Sequence, residues 1–98
     1  MLTHQQRLDL FESTLVPRLR ALLESKGQAY GGETDAHANY RLIEVLGIAT
    51  TFQAMMARAT DKFVRIGKLY GVDTASKQID EELEELIVCL INAWTERR

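Results

Sequence analysis

The sequence predicts an all-α protein, four helices in a largely antiparallel bundle. Three observations carry that expectation. The 98 residues include one proline and six glycines, so helix breakers are too scarce to interrupt long segments. Apolar residues recur in those segments at three- and four-residue steps, the helical period. Strand-like alternation rich in Val, Ile and Thr is nowhere evident. The length gives a single domain over 1–98, with a core small enough that packing against another copy is expected.

The first helix is expected over about 4–26. Leu8, Phe11, Leu15, Leu19 and Leu22 fall on one face of it. Pro17 removes a backbone donor and clashes with the preceding turn, so a kink or a split is expected near 17, with Thr14 as a cap for a second segment. Gly27 is the expected stop. The polar run GQAYGGETD follows, and Gly31-Gly32 is the strongest loop signal in the chain. Thr34 or Asp35 is an N-cap for a second helix over 35–46, closed by Gly47.

The third helix is expected over 51–70, beginning after Thr50 or Thr51 and stopping at Gly71. Phe52, Met55, Met56, Ala59, Phe63, Ile66 and Leu69 are its apolar positions. Gly67 weakens it by about 1 kcal/mol relative to alanine and permits close approach of a neighbour. The last helix is expected over 75–96. Ile79, Leu83, Leu86, Ile87, Leu90, Ile91 and Trp94 form a broad apolar stripe, and Asp80, Glu81, Glu82, Glu84 and Glu85 crowd its first half.

Charge narrows the function classes. Twelve Lys+Arg stand against 14 Asp+Glu, a net charge of −2, so nonspecific nucleic-acid binding is not expected. No apolar run approaches the roughly 20 residues that span a bilayer, and the opening MLTHQQRLDLFES has no secretory apolar region. Cys89, the one cysteine, makes no intrachain disulfide and reads as a buried small hydrophobe. A soluble protein of the cytoplasm, without membrane contact, is the expectation.

Two helix faces could carry chemistry. Glu82 and Glu85 lie three residues apart and share a face, as do Glu81 and Glu84. Clustered carboxylates suit a hard cation such as Mg²⁺, although spacing alone favours a solvated acidic face. On the third helix Arg58, Lys62 and Arg65 form a basic stripe that suits phosphate; the plainer reading is ion pairing, such as Asp61 with Arg65. Antiparallel packing about Gly71 brings the two faces to comparable heights. They then line either a metal–polyphosphate pocket or an interhelical salt-bridge layer. Lys26 and Tyr30, in the loop before Gly31-Gly32, could reach a phosphate and stack on a base, although no phosphate-loop motif is present.

Several of these residues also fall into a recognisable order. Lys26-x-x-x-Tyr30-Gly31 is followed by Asp35-Ala-His-Ala-Asn39-Tyr40-Arg41, then Asp61-Lys62-Phe-Val-Arg65-Ile66, then Glu81-Glu82-Leu83-Glu84-Glu85-Leu86-Ile87. Over about residues 20–95 the chain resembles the small phage-encoded proteins of the nucleotide modification associated domain 1 family. Those in turn resemble the MazG-like all-α nucleoside triphosphate pyrophosphohydrolases. The resemblance implies an oligomeric helical bundle, a nucleotide held by its phosphates, and Mg²⁺ held by carboxylates. It places Glu82 and Glu85 at the metal pair and Glu81 at the preceding acidic position, where it could serve as base. It places Lys62, Arg65, Lys26 and Tyr30 on the nucleotide. Ala29 stands where the family has aspartate, and Val88-Cys89 where it has Asn-Tyr. The upstream carboxylate pair of MazG enzymes is absent.

Three functions follow as expectations. The first is nucleotide binding, with Mg²⁺-dependent hydrolysis to monophosphate and pyrophosphate as its catalytic form. The second is a non-catalytic phage-type protein that sequesters a nucleotide signal or blocks a host defence protein. The third is a purely structural oligomer.

Overall fold

The computed structural model describes residues 1–30 and 35–98, with the backbone alone at 28–30. The described residues are helical, without strands. None of their helices is long and apolar enough to cross a membrane.

Helix α1 (His4–Leu10) runs through a π-helical turn (Phe11–Leu15) into α2 (Val16–Tyr30). Thr3 caps α1 in a capping box with Gln6. The expected break at Pro17 takes another form. The wider π turn ends just before the proline, and the Val16 N–H reaches back to the Phe11 carbonyl. One extra residue in the turn accommodates the missing donor, so the helix continues. Thr14 accordingly lies inside the turn and caps nothing. Gly27 does not stop the helix, which continues to Tyr30. The expected Gly31-Gly32 turn and the Thr34 cap lie outside the described residues.

Helix α3 (Ala38–Val45) starts later than expected. Asp35 Oδ1 accepts the His37 N–H at 3.0 Å, and this side-chain turn takes the place of a first helical turn. Gly47 adopts a φ of 75° after α3, the left-handed value expected at its C-terminal end. Helix α4 (Thr51–Leu69) opens on a capping box formed by Thr50 and Gln53. Gly71, at φ 88°, turns the chain into α5 (Ser76–Glu96).

Helices α4 and α5 form an antiparallel hairpin, the principal contact of the fold. Helix α2 packs on α5 and α3 packs on α4. The core between them is small: Leu19, Ala54, Met55, Ala59, Ala75, Val88, Cys89 and Ala93 are its buried apolar residues. The radius of gyration is 15.3 Å, against about 13 Å for a compact domain of this length.

That openness corrects several expected core positions. Of the first-helix face, Leu19 is buried whereas Leu8 and Phe11 are exposed. Helix α1 makes its main contacts with the π turn that continues it, so little among the described residues covers them. On α4 the inward positions are Met55, Ala59 and Lys62, while Phe52, Met56 and Phe63 are exposed. On α5 Val88, Cys89 and Ala93 are buried, and Leu83, Leu90 and Trp94 are exposed.

The two capping boxes have the same chemistry and different packing. Thr50→Ala should lower global stability by about 1 kcal/mol, because its helix carries the core. Thr3→Ala should fray α1 without moving the unfolding midpoint. Urea unfolding followed by circular dichroism separates the two, and equal shifts in midpoint would contradict this assignment.

Candidate functional site

The basic face of α4 and the acidic face of α5 do meet. Lys62 sits one turn beyond Ala59 on the inward side of α4, with its side chain 7% exposed. A buried ammonium requires counter-charge. Glu82 and Glu85, three residues apart on α5, supply it. Lys62 Nζ donates to Glu85 Oε2 and lies 3.3 Å from Glu82 Oε2. The latter oxygen is buried and makes no aligned hydrogen bond among the described residues. Burial works against the Lys62 charge, but the hydrogen bond that it donates to Glu85 and the adjacent Glu82 carboxylate outweigh it and hold the ammonium above the ordinary lysine range. The same Lys62 hydrogen bond holds Glu85 below the usual carboxylate range.

Around this pair lie further ions. Arg65 Nη1 is 3.9 Å from Glu82 and its Nε is 3.4 Å from Asp61. Lys26 Nζ is 4.0 Å from Glu85. Arg18 donates to Glu84 Oε1 at 3.0 Å, tying α2 to α5. The juxtaposition is therefore an interhelical salt-bridge layer.

A second polar cluster joins the start of α3 to the end of α5. Arg41 is bidentate on Glu96, at 2.6 and 2.9 Å, and also donates from Nε and Nη2 to Asp35. His37 Nδ1 lies 2.7 Å from Glu96 Oε2, and its Nε2 lies 3.2 Å from Thr95 Oγ1. The Arg41 hydrogen bond is the main cause that holds both Asp35 and Glu96 below the ordinary carboxylate range, with His37 adding to it.

Between the two clusters runs a cleft of about 790 Å³ bounded by α2, α3, α4 and α5. This is within the ~300–1,000 Å³ common for ligand sites. Leu22, Ile43, Val88, Cys89 and Ile91 form its apolar wall, with Tyr40 beside them. Arg58 also lines the cleft, near enough to Cys89 and Tyr40 for its charge to act on both, and among the described residues no carboxylate lies within ion-pair distance of it. Burial pushes the Cys89 thiol up, so it stays protonated and is no nucleophile.

The expected site residues thus separate. Lys26, Arg58, Lys62 and Glu85 line the cleft. Glu82 sits behind Lys62, and Arg65 pairs at the margin. Glu81 does not join them, because it is exposed and faces Lys77 one turn earlier at 4.0 Å. The Tyr30 side chain lies outside the described residues. The metal pair does not fit a divalent cation as it stands, because Lys62 supplies the charge that the ion would. No group of three or more His, Cys, Asp or Glu among the described residues could hold a metal. The Arg41–Glu96–Asp35–His37 cluster was missed as an interaction. Its members lie up to 61 residues apart, from Asp35 to Glu96, and no local spacing signals the pairing.

No family model, no curated protein and no solved structure matches the chain.

The depressed carboxylates make stability depend on acid. A group whose value is lowered on folding stabilises the fold above its unfolded value, and that contribution is lost as pH falls through the folded one. Asp35, Glu85 and Glu96 start from 3.8, 4.5 and 4.5. The urea midpoint should therefore be flat from neutrality to about pH 5 and fall below that. Arg41→Gln, which removes the partner of Asp35 and Glu96, should flatten the acid limb. An unchanged limb in that variant would contradict the assignment.

Proposed function

We propose that the chain binds a nucleotide in the cleft between α2 and the α4–α5 hairpin, and that it does so without a divalent cation on Glu82 and Glu85. The observation that carries this reading is Arg58. It faces the cleft with no carboxylate in ion-pair reach among the described residues, so its fork remains open to a phosphate. Among the cleft-lining residues, Lys26, Arg41, Arg58, Lys62 and Arg98 outnumber the carboxylates Asp35, Glu85 and Glu96. The field there favours an anion.

The apolar part of the lining suits the rest of a nucleotide. Leu22, Ile43, Val88, Cys89 and Ile91 offer apolar surface, and the ring of Tyr40 offers a stacking partner for a base. The resemblance to nucleotide modification associated proteins supports the same ligand class. Sequestration is favoured over hydrolysis by one feature, the Lys62 ammonium held by both carboxylates of the expected metal pair. Hydrolysis of the MazG kind would need those two groups for Mg²⁺, and neither is available while Lys62 is charged. Glu81, exposed and paired with Lys77, supplies no base in the cleft.

Calorimetry and thermal shift with a panel of NTPs, dNTPs and monophosphates test this reading. A nucleotide should bind and raise the melting temperature in EDTA as well as in Mg²⁺. Arg58→Ala should weaken that binding at least tenfold, about 1.4 kcal/mol, with the helical signal unchanged. Release of pyrophosphate that requires Mg²⁺ and disappears in Glu85→Ala would replace binding with hydrolysis. Absence of a shift with every nucleotide would overturn the proposal.

A further inference from the structure

The cleft is uneven along its length. Its α5 lining runs from Glu85 through Cys89 and Asn92 to Glu96, 11 residues on and roughly 17 Å of helix. A carboxylate stands at each end, and each is already committed: Glu85 to Lys62, Glu96 to Arg41 and His37. Between them lies Arg58. It precedes Lys62 by one turn of α4, roughly 6 Å. Antiparallel packing therefore sets it level with Cys89, one turn after Glu85, and its charge acts on the Cys89 thiol.

The other cations of the lining are engaged. Lys62 and Arg41 hold carboxylates. Lys26 lies 4.0 Å from Glu85. Arg98 lies over the Trp94 ring, 3.6 Å from its centroid. Asn92 is the complementary feature. It is half-buried and lines the cleft about one turn beyond Cys89, away from Glu85. Its amide makes no hydrogen bond among the described residues. It is not sealed off either, since Glu82 Oε2 is the one buried side-chain polar atom without a partner there. Such an amide offers a donor and an acceptor side by side, which the edge of a nucleobase matches.

On the reading that the cleft takes a nucleotide, we infer that its ligand is a nucleoside monophosphate lying along α5, with the phosphate on Arg58 and the base edge on Asn92. About one helical turn separates the two groups along α5, the span of a ribose. One guanidinium holds one phosphate as a bidentate pair. With the base toward Asn92, further phosphates extend the other way, toward Glu85 and Glu82. The cations at that end, Lys26, Lys62 and Arg65, already have carboxylate partners. Each added phosphate therefore brings negative charge against negative charge. A divalent ion would relieve that repulsion, and Lys62 fills the place between the two carboxylates that it would need.

Calorimetry of the full chain in EDTA, with the mono-, di- and triphosphates of adenosine, guanosine, cytidine and uridine, tests this. For the preferred base the monophosphate should bind roughly tenfold more tightly than the triphosphate. Glu85→Gln, which removes a charge from the end toward which the phosphates extend, should bring the two within about threefold. Asn92→Ala, with the helical signal retained, should reduce the ratio of affinities between the best- and worst-bound bases by about tenfold. A triphosphate that binds the wild type as tightly as its monophosphate overturns this inference and leaves the cleft a nucleotide site. That comparison needs no variant, so it decides the matter even if Glu85→Gln fails to fold. A folded Glu85→Gln with the gap unchanged overturns the stated cause. Equal binding of the four bases, or a ratio unchanged in Asn92→Ala, overturns the placing of the base. Failure of every nucleotide to bind overturns both this inference and the reading on which it rests.

Discussion

The ammonium of Lys62 is the charge around which the rest of the structure is arranged. Helical period puts position 62 on the inward side of α4, after Met55 and Ala59, where an apolar residue would ordinarily stand. A charge there is tolerated only with counter-charges at fixed positions. Glu82 and Glu85 provide them from α5, and their spacing fixes which turn of α5 lies beside which turn of α4. Removing the ammonium alone would leave two partly buried carboxylates facing each other, a loss of order 3–5 kcal/mol for breaking a buried pair. The pairing also decides the chemistry of the cleft. With Glu85 committed to Lys62, Arg58 is left on the cleft without a carboxylate in ion-pair reach among the described residues, and the proposed anion site rests on it.

At the far end a second ionic clamp does a different task. Arg41, bidentate on Glu96 and bonded to Asp35, fastens the start of α3 to the last turn of α5. The start of α3 is thereby anchored on one side of the cleft. Helix α3 itself is short and buries no residue, so these ionic contacts add to its packing on α4 in holding it in place. The cleft is thus framed by two polar clusters, with an apolar wall between them. Both clusters weaken in acid for the same reason: each holds a carboxylate whose charged form is favoured more in the folded chain than in the unfolded one.

Much of this was legible in the sequence, and the exceptions have physical causes. The ends of α4 and α5, the cap at Thr50 and the turns at Gly47 and Gly71 follow from local chemistry: a hydroxyl before a helix, a glycine able to adopt positive φ. The meeting of Lys62 with Glu82 and Glu85 followed from antiparallel packing about Gly71. Which kind of meeting it is did not, because spacing is the same for a metal pocket and for a salt-bridge layer. Pro17 misled for a similar reason, since a π turn relieves a missing donor as well as a kink does. Gly27 was read as a stop from its type, yet its backbone is helical and its propensity cost is small beside the packing of α2 on α5. The apolar stripes were correctly located on their helices, yet only part of each lies in the core. Periodicity reports that a face is apolar and does not report what covers it.

The central claim is that Lys62 occupies, in charge and in place, the position a divalent ion would take between Glu82 and Glu85. Paramagnetic broadening by Mn²⁺ in a ¹H–¹³C spectrum of the full chain tests it most directly. Side-chain signals of Lys62, Glu82 and Glu85 should persist as Mn²⁺ is added, with any broadening confined to exposed carboxylates such as Glu81. Selective loss of the Glu82, Glu85 and Lys62 signals at low Mn²⁺ would show that the ion displaces the ammonium, and would contradict the account.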